Sequence, residues 1–518
     1  MTRSILDSLL EAVCLTVYII LTGVPAIYGL HFYLLMFLAH RRAPAVRESQ
    51  ERTIASYRDA TSENEWPLVT TQLPIFNELH VARRVIEATA RMDYPSDRHE
   101  VQVLDDSTDA TRALVDRVCK ELRHEGFDVK VVRRPTRQHY KAGALAHGLT
   151  TAKGEYVAVF DADFVPDSDF LRNMIPLIAV DERASCVQAR WGHLNADENW
   201  MTDGIALGID GHFGVEQGAR AWNGLLLNFN GTGGIWRKAA IDDPRVGGWS
   251  GDTITEDLDL SYRAQLAGWS VIYCRDIVCP AEVPADISAI KTQQRRWATG
   301  SIQTARKLLP AVWRSHLSLA QKLEASFHLV QYGISIFMVL IPLLVRLVLV
   351  PLPADKYGAW LIACWILIPF AAAAPSIAYV YARRTLTGEW TSLWRVIRLV
   401  VLGLGLSVNN CAAVMAGLFQ RGGEFVRTPK SGSTAQQPRK AAYAPVYSNL
   451  WKFEILLGCF SMAQWLYFLR EDHYIFGSIL LLYGVGLTLL GWKSRPRTEP
   501  LESRAALKPV EERPSAAG

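Results

Sequence analysis

Residues 157–163, which read Val-Ala-Val-Phe-Asp-Ala-Asp, decide the fold. The first four are apolar and suit a buried β-strand, and two carboxylates follow at positions i and i+2. Successive side chains on a strand alternate faces, so Asp161 and Asp163 point to the same side at the strand's end. Two converging carboxylates repel each other unless a cation, such as a divalent metal holding a diphosphate, lies between them. An Asp-rich turn after a strand explains the same residues, so the neighbouring sequence must decide.

Strands and helices alternate on both sides of this stretch. The strand-like segments lie at 68–75, 101–104 and 129–132, and the helix-like segments lie at 81–92, 110–125 and 142–149. This alternation predicts an α/β fold with a parallel sheet, in which ligands bind beyond the carboxyl ends of the strands. Both Asp clusters, at 105–109 and 161–163, lie at such ends. Their position therefore favours a binding site over a chance pair of turns.

The composition excludes several other classes of protein. The chain has 518 residues, half of them hydrophobic, and is long enough for a large domain plus a second region. Its 55 basic residues barely exceed its 51 acidic ones, and a net charge of +4 gives no reason to predict a nucleic-acid partner. The eight cysteines contain no C-x-x-C pair, which argues against a zinc site or a disulfide framework and favours reduced thiols.

The first 42 residues predict a transmembrane helix. Residues 9–38 are almost entirely apolar, and this run exceeds the roughly 20 residues that cross a bilayer. Arg41 and Arg42 follow directly, so the positive-inside rule places the next part of the chain in the cytoplasm. Residues 43–66 are charged without a clear period and are predicted to form a linker or a surface helix.

The second half of the chain contains five apolar segments, at 327–352, 358–381, 396–419, 450–469 and 473–492. If all five crossed the membrane, the basic loop that follows the third would lie outside, against the positive-inside rule. The third segment also contains Asn409 and Asn410, which are costly in hydrocarbon unless neighbours satisfy their amides. We therefore predict that this segment lies on the cytoplasmic face as an interfacial helix. Five spans result, with the N-terminus outside and the tail inside.

Seven short motifs follow one another in the first 300 residues. They are QVLDDSTD (102–109), HYKAGAL (139–145), FDAD (160–163), VQARW (187–191), FNGT (229–232), TED (255–257) and QQRRW (293–297). In this order they resemble the motifs of membrane-embedded family-2 glycosyltransferases of the cellulose-synthase type, above all the cellulose-synthase-like mannan and glucan synthases. The resemblance is dense over residues 67–310 and loose in the membrane segments. It implies a GT-A, Rossmann-like cytosolic glycosyltransferase domain inserted between transmembrane helices, with interfacial helices.

The resemblance assigns the nucleotide side of the site. It implies that Asp105 contacts the nucleotide base, with Lys141 nearby, and that Asp161 contacts the nucleotide. Asp163 would hold Mg²⁺ or Mn²⁺ against the diphosphate, so Asp161 and Asp163 are the predicted metal residues. Lys141 precedes Ala-Gly-Ala, where the backbone can approach a ligand closely, although a solvated surface lysine explains it too.

The motif Q-x-x-R-W contributes three further residues by the same resemblance. Gln293 and Arg296 are assigned to the nucleotide-sugar, and the planar guanidinium of Arg296 suits a departing diphosphate. Trp297 offers an apolar face on which a sugar ring can stack. A tryptophan near a membrane also serves as an interfacial anchor, but its place in the motif favours stacking.

Asp257 is the predicted catalytic base. Glycosyl transfer with inversion needs a carboxylate that takes the proton of the acceptor hydroxyl as its oxygen attacks the anomeric carbon. The sequence places Asp257 at a helix start, where free amide groups hold a carboxylate, and this alone would justify an Asp. Glu256 is predicted to orient its neighbours. Phe229, Asn230 and Gly231 would line the acceptor end, although a Gly-rich turn explains them equally.

Residues 420–449 resemble the cellulose-synthase gating loop, which is written F-x-V-T-x-K. Phe425, Thr428 and Lys430 match this pattern, whereas Arg427 replaces the family's Val. Such a loop closes over the nucleotide and must be cytoplasmic; a basic disordered linker is the alternative. The full predicted division is a transmembrane helix (1–42), a linker (43–66), the GT-A domain (67–300), interfacial helices (301–325), two transmembrane helices (326–382), an interfacial helix (383–419), the loop (420–449), two transmembrane helices (450–492) and a disordered cytosolic tail (493–518).

The sequence therefore predicts an integral membrane enzyme, a processive inverting β-glycosyltransferase with a cytoplasmic catalytic domain. It would move a hexose from GDP-mannose or UDP-glucose to a growing β-1,4-glycan and export the product across a bacterial inner or plasma membrane, or a Golgi membrane in a eukaryote. The predicted partners are a nucleotide-sugar donor, a glycan acceptor and the lipid bilayer, with a possible homo-oligomer or export partner. A non-processive enzyme that glycosylates a lipid is the alternative. A nucleotide-sugar-binding scaffold without activity is disfavoured because Asp257 and Trp297 are both present.

Overall fold

The structure is a computed structural model that describes residues 2–423, 430, 432, 448–471 and 474–496. Its strands are β1 Val69–Ile75, β2 His99–Asp105, β3 Val129–Val132, β4 Tyr156–Val159, β5 Ala184–His193, β6 Gly234–Arg237 and β7 Ser270–Ala281. The helices up to the end of the sheet are α1 Thr2–Ala60, α2 Ala82–Ala90, α3 Thr111–His124, α4 Tyr140–Leu149, α5 Phe170–Ala179, α6 Trp200–Gly211, α7 Gln217–Ala221, α8 Lys238–Ile241 and α9 Glu256–Leu266. The helices after the sheet are α10 Ile287–Arg314, α11 Leu319–Val330, α12 Ile334–Leu349, α13 Ala354–Thr387, α14 Leu393–Gly405, α15 Ser407–Phe419, α16 Leu450–Arg470 and α17 Tyr474–Lys493. A π-helix, His212–Glu216, joins α6 to α7.

The seven strands form one sheet in the order β3-β2-β1-β4-β6-β5-β7. The first four are parallel, as the alternating sequence pattern predicts, and β7 is parallel to β5. β6 runs antiparallel to both β4 and β5. The predicted α/β class is therefore confirmed, and the sequence-central strand β4 lies at the middle of the sheet.

Helices cover both faces of the sheet, which explains why its central strands are apolar on both sides. One core includes Val85 of α2, Val115 of α3 and Ile175 of α5, all fully buried. The other includes Leu145 of α4 and Leu260 of α9. This central domain carries all the catalytic motifs and leaves the carboxyl ends of β1 and β4 open.

Residues 43–66 were predicted to form a linker or a surface helix, and α1 continues through them without a break to Ala60. Charged residues four apart stabilise this exposed part of the helix, namely Arg47 with Glu51 at 2.8 Å and Glu48 with Arg52 at 3.5 Å. The apparent lack of a period in the sequence reflects a helix that is largely solvated.

Within the described residues, three helical stretches are long and apolar enough to cross a membrane: Ile5–Ala60, Leu319–Leu349 and Trp360–Thr387. The predicted spans at 450–492 are not among them, although α16 and α17 pack closely against each other. Lys452 and Glu454 make the first turn of α16 more polar than the other candidate spans. Glu454 instead forms a buried ion pair with Lys291 of α10 at 2.5 Å. Whether α16 and α17 cross the membrane stays a prediction.

The predicted interfacial helix at 383–419 is three pieces in the structure. Residues 383–387 complete α13, which stops at Gly388 because that residue has a left-handed φ of 76°. The rest forms α14 and α15, which are bent by 45°. The Asn409 amide, whose cost in hydrocarbon motivated the prediction, donates to the Lys291 carbonyl at 3.1 Å. Neighbouring helix α10 therefore satisfies this group.

Both ends of the α14–α15 pair contact the central domain or α10. At the start of α14, Arg395 forms an ion pair with Asp203 of α6. After the end of α15, the Gln420 carbonyl accepts a hydrogen bond from Arg306 of α10 at 2.9 Å, and the Gly422 amide donates to the Asp252 carbonyl at 3.0 Å. The two ends of the α14–α15 pair therefore both lie close to the central domain.

One further boundary differs from the prediction. The predicted domain end at 300 falls inside α10, because residues 301–314 continue that helix instead of forming a separate interfacial one. Of the predicted loop residues, Lys430 is described, whereas Phe425 and Thr428 lie outside the described residues, as does the predicted tail beyond residue 496.

Candidate active site

The carboxyl ends of the sheet and the starts of α9 and α10 enclose a cleft in the central domain. Most of the site residues predicted from the sequence line this cleft: Lys141, Asp161, Asp163, Asn230, Gly231, Glu256, Asp257, Gln293, Arg296, Trp297 and Lys430. They come from widely separated segments of the chain, so the sheet topology brings them together.

The two aspartates after β4 both line the cleft. Asp161 accepts a hydrogen bond from Lys141 Nζ at 2.5 Å, and its backbone N–H donates to Thr232 Oγ1 at 2.9 Å. Asp163 forms an ion pair with Lys430 Nζ at 2.6 Å. Each carboxylate is therefore neutralised by a lysine ammonium in this structure.

Lys141 occupies the centre of the cleft. Besides Asp161, its Nζ donates to the Gly231 carbonyl at 2.8 Å and lies 3.8 Å from Glu256. Burial alone would lower the pKa of Lys141, but the Asp161 and Glu256 carboxylates raise it above its ordinary value. The side chain therefore stays charged at neutral pH.

A strained turn positions Lys141 at the start of α4. His139 and Tyr140 have positive φ angles of 58° and 47°, which residues with a side chain rarely adopt. Arg134 stabilises this turn because its guanidinium donates to the carbonyls of Gln138 and Tyr140 while pairing with Asp106 at 2.6 Å. The position of the lysine thus depends on a buried guanidinium–carboxylate pair.

Asp257 lies in the first turn of α9, and its Oδ1 accepts a hydrogen bond from the Leu258 amide at 2.8 Å. Burial raises the pKa of the Asp257 carboxyl. Burial and the adjacent Asp257 charge raise the pKa of Glu256 to about 7. Carboxyl groups with shifted pKa values that share a cleft with a cation are typical of acid–base sites.

Gly231 allows the FNGT turn to pass directly beside the predicted base. It has a left-handed φ of 81°, and a Cβ added there would lie 2.7 Å from Asp257 Oδ2 and 3.4 Å from Lys141 Nζ. Any side chain at this position would therefore displace one of the two charged groups.

Helix α10 presents Gln293, Arg296 and Trp297 along one face, as their spacing of three and four residues requires. The helix can approach α9 closely because residue 300 is glycine. A Cβ there would lie 2.4 Å from the Thr255 side chain. The close approach of the two helices brings Trp297 and Asp257 into the same cleft.

A side pocket extends the cleft along the ends of β1 and β2. Its lining includes Asp106 and an aromatic cluster in which the Arg137 guanidinium lies 3.4 Å from the Phe76 ring centre and 4.9 Å from that of Tyr140. None of these residues has a role predicted from the sequence. Only Tyr140 and Asp106 fall in one of the seven motifs, so no sequence pattern pointed to Phe76 or Arg137.

Two predicted residues do not line the cleft. Asp105 is buried at the end of β2, where it pairs with Arg133 at 2.8 Å; because side chains alternate along the chain, its neighbour Asp106 faces the pocket instead. Phe229 is fully buried and packs edge-on against Trp236 with 5.6 Å between ring centres. Both predictions of direct ligand contact are corrected, because both side chains are buried in the core beneath the cleft.

The cleft also contains residues that sequence reasoning missed. Trp191 ends the VQARW motif, lines the cleft and donates to the Thr232 carbonyl at 3.3 Å. Glu282 follows β7; its carbonyl accepts a hydrogen bond from Lys430 at 2.5 Å, and its carboxylate accepts one from the Gly432 amide at 3.0 Å. No motif marks Glu282, so only the fold reveals it.

Comparisons with known proteins bear on the family. The family described as "Glycosyltransferase like family 2" matches residues 67–300. Glucomannan 4-beta-mannosyltransferase 1 of Oryza sativa subsp. japonica is 32% identical over 446 residues, which cover 81% of this chain and 82% of that protein. The chain belongs to glycosyltransferase family 2. The suspected resemblance is thereby confirmed, and this family-2 glycosyltransferase is a hexosyltransferase.

One further relative of the family-2 glycosyltransferase carries the same name. Glucomannan 4-beta-mannosyltransferase 1 of Cyamopsis tetragonoloba is 32% identical over 83% of this chain and 82% of its own length. Among solved structures, a mannosyltransferase from Pyrobaculum calidifontis in complex with GDP-Man and Mn²⁺ aligns over 79% of this chain and 99% of its own. Its identity is 20% and its TM-score is 0.45.

A much larger inner cavity of about 560 Å³ adjoins the cleft of the glycosyltransferase. The inner cavity is bounded by α1, α6, the π-helix, α12, α13 and α14. The residues that line both spaces are Trp191, Ile209, Asn230, Thr255, Asp257 and Trp297. The predicted base therefore stands at the junction between the two spaces.

The chemistry of the cleft carboxylates bears on metal binding by the glycosyltransferase. Among the residues that the structure describes, no group of three or more His, Cys, Asp or Glu side chains could hold a metal ion. Asp161 and Asp163 form a pair that is open to the cleft. Two carboxylates suit a hard divalent cation that takes its other oxygen ligands from a diphosphate and from water, so the donor set fits Mg²⁺ or Mn²⁺.

Proposed function

We propose that this enzyme is a processive, inverting β-glycosyltransferase that builds a β-1,4-linked glycan of the mannan or glucomannan type. The observation that carries the proposal is that Asp257 and Trp297 line both the cleft and the inner cavity. A base at that junction can act on the end of a chain whose body extends away from the nucleotide. The names of the glucomannan 4-beta-mannosyltransferase relatives support mannose as the transferred sugar.

The donor is a nucleotide-sugar, and GDP-mannose is the favoured candidate over UDP-glucose. The side pocket would take the nucleoside, and the diphosphate would lie among Lys141, Arg296 and Lys430, which line the cleft and the side pocket alike. Three cationic side chains offset the charge that develops on the leaving nucleoside diphosphate. Arg296 suits this task best because its planar donors match phosphate oxygens.

Asp161 and Asp163 would hold Mg²⁺ or Mn²⁺ in the cleft. The metal ion would neutralise charge on the leaving diphosphate. Lys141 and Lys430 would then turn from the two carboxylates towards phosphate oxygens, since both lysines are within 2.6 Å of those carboxylates in this structure.

Asp257 acts as general base in the transfer. The acceptor hydroxyl oxygen forms a bond to the anomeric carbon as the bond from that carbon to the diphosphate breaks, and the hydroxyl proton passes to Asp257. Its Oδ1 is held by the Leu258 amide, which leaves Oδ2, beside Gly231, to take the proton. Attack from the side opposite the leaving group inverts the anomeric configuration. Trp297 would hold the acceptor sugar by stacking.

Export through the inner cavity completes the proposal. Because α1, α12 and α13 belong to the candidate membrane spans and bound this cavity, a chain that leaves Asp257 enters space between them. The return of α14–α15 to the central domain supports a re-entrant, cytoplasmic placement of the following loop. Lys430 of that loop reaches Asp163 on the cytoplasmic side.

The experiment is a donor panel with purified, detergent-solubilised enzyme. Nucleotide release should be fastest with GDP-mannose, and the product should be an insoluble polymer that an endo-β-1,4-mannanase digests. UDP-glucose as the better donor, with a product sensitive to a β-1,4-glucanase, would contradict the choice of sugar. A single-sugar product that partitions into chloroform would contradict polymer synthesis and favour the glycolipid alternative.

A further inference from the structure

The start of α9, which carries Asp257, is not capped by the side chain of its own N-cap residue. Thr255 occupies the N-cap position, but its side chain makes no hydrogen bond to the first amides of the helix. The Thr255 side chain faces α10 instead, with its Oγ1 atom 3.4 Å from Thr304 Oγ1. An N-cap side chain normally fixes where a helix begins. Contacts with neighbouring elements therefore take over this task for α9.

Gln303 of α10 makes one of these contacts. Its Oε1 atom accepts a hydrogen bond from the Ile254 amide at 3.0 Å, one residue before Thr255. The Gln303 side chain is only 4% exposed and lines neither the cleft nor the inner cavity. An effect of Gln303 on the reaction would therefore act through the residues that it holds.

The other end of the same amide holds the chain that follows α15. Gln303 Nε2 donates to the Gly422 carbonyl at 2.7 Å, and the Gly422 amide donates to the Asp252 carbonyl at 3.0 Å. A Cβ added at Gly423 would lie 2.9 Å from the Ile254 side chain, so the chain after α15 packs tightly against the residues before α9. Three hydrogen bonds therefore form a closed ring that joins these two segments through one side chain.

The chemistry of this ring requires an amide. The side chain of Gln303 must accept from one backbone N–H and donate to one backbone carbonyl, and a glutamine amide offers both functions in one plane. A glutamate of the same length keeps the acceptor and loses the donor, whereas a leucine loses both. Backbone groups left without a partner in a buried place cost free energy, so the start of α9 would shift to satisfy them.

We propose that Gln303 is a positioning residue for the reaction, which places Asp257 by fixing the start of α9 against the chain after α15. This inference rests on the proposed role of Asp257 as the general base. A reacting group displaced by about 1 Å can lower the rate by ~10²-fold, even when the substitution lies far from the chemistry. Gln303 should therefore control turnover and leave the binding of the nucleotide unchanged.

The first test measures kcat and KM for nucleotide release by the full-length enzyme, with GDP-mannose or, if the donor panel selects it, UDP-glucose. In Gln303→Leu, kcat should fall by about tenfold to a hundredfold, whereas KM and the calorimetric Kd of GDP or UDP stay near wild type. Gln303→Glu should lose about fivefold in kcat, because it forfeits one hydrogen bond of the two. This second variant keeps the test valid if Gln303→Leu does not fold.

The second test repeats Gln303→Leu in the Asp257→Asn background. A residue that acts only by placing the base has no further effect once the base is gone, so the residual rate should equal that of Asp257→Asn alone. A further loss by the same factor as in the wild-type background would show that Gln303 acts on something other than the base, and would overturn the proposal.

Thr299→Val is the matched control. Thr299 of α10 also bonds α15, through its Oγ1 atom and the Ala413 carbonyl at 3.1 Å, and this bond does not involve residues 252–255. The control should keep kcat within about twofold of wild type, even if the melting temperature falls. Wild-type kcat in both Gln303 variants would overturn the proposal, as would an equal loss of kcat in the control. Wild-type turnover in Asp257→Asn alone would instead overturn the proposed role of the base.

Discussion

Asp257 and Glu256 share one buried corner of the cleft, and two carboxylates so placed resist simultaneous ionisation. Lys141 lies 3.8 Å from Glu256 and offsets part of this repulsion. Burial and the Asp257 charge raise the pKa of Glu256 to about 7, so Glu256 is partly protonated at neutral pH, which reduces its repulsion of an ionised Asp257. The assignment of Asp257 as base thus agrees with the charge balance of the corner.

Replacing Asp257 with Asn should remove the base and leave the cleft intact. The rate of nucleotide release should fall by ~10²–10⁴-fold, the usual contribution of a general base, while calorimetric binding of the nucleotide stays near wild type. Asp252→Asn is the control, because Asp252 is exposed and pairs with Lys307 at 3.2 Å outside the cleft. Wild-type turnover in Asp257→Asn would mean that another group takes the proton.

The pH dependence of kcat/KM should report on the same corner. Because burial raises the pKa of Asp257, activity should be lost on acidification at a pH above the ordinary range of an aspartate. Because the pKa of Glu256 is about 7, Glu256 is already protonated where Asp257 loses its charge, so Glu256→Gln should leave the acidic limb near its wild-type position. A large shift of that limb in Glu256→Gln would mean that Glu256 is charged while Asp257 titrates.

Metal dependence should be traceable to Asp163. Excess chelator should stop nucleotide release, and added Mg²⁺ or Mn²⁺ should restore it, because the leaving diphosphate needs charge neutralisation. Asp163→Asn should raise the metal concentration needed for half-maximal rate, whereas Asp167→Asn, at an exposed position outside the cleft, should not. Full turnover in excess chelator would rule out a metal requirement.

At the scale of elements, the sequence predicted what local periodicity encodes. The alternation of strands and helices and the shared face of Gln293, Arg296 and Trp297 follow from fixed repeats of 2 and 3.6 residues. Asp161 and Asp163 lie in the turn after β4, and both line the cleft. The antiparallel course of β6 does not follow from these repeats, because four residues carry no direction. The bend between α14 and α15 depends on contacts with distant helices, which no local pattern encodes.

Two predictions of contact failed for reasons that are also local. Asp105 and Asp106 are adjacent, and the exact end of β2 decides which of them faces the side pocket. A motif gives the residue types, but it does not show which way the side chain of the last strand residue points. Phe229 lies in the FNGT motif beside true cleft residues, and only packing against Trp236 shows that it belongs to the core.

The path of α14–α15 can be tested by thiol labelling. Gln420→Cys adds a thiol just after α15, where the backbone contacts Arg306 and the side chain is exposed. The variant is made in protein that lacks the exposed native Cys459. A membrane-impermeant thiol reagent should then label residue 420 only from the side of the catalytic domain. A cysteine at exposed Asp97 of the central domain is the positive control. Labelling from the opposite side would make α14–α15 a true span.

At the scale of the whole molecule, the structure joins two spaces of different character. The cleft is lined by ionised groups that suit a diphosphate, and the inner cavity lies among candidate membrane spans. The cavity involves α1, α6 and α12 to α14, which are distant in sequence, so no motif predicts it. Its junction with the cleft at Asp257 is the basis for proposing synthesis coupled to export.

Enzyme reconstituted in sealed vesicles tests this coupling most directly. Only molecules whose catalytic domain faces outward can use GDP-mannose that is added outside, and the amount of polymer can be measured before and after adding an endo-β-1,4-mannanase. The account predicts that the polymer is protected from the enzyme until detergent opens the vesicles. Polymer that is digested without detergent, or a product that extracts with the lipids, would contradict it.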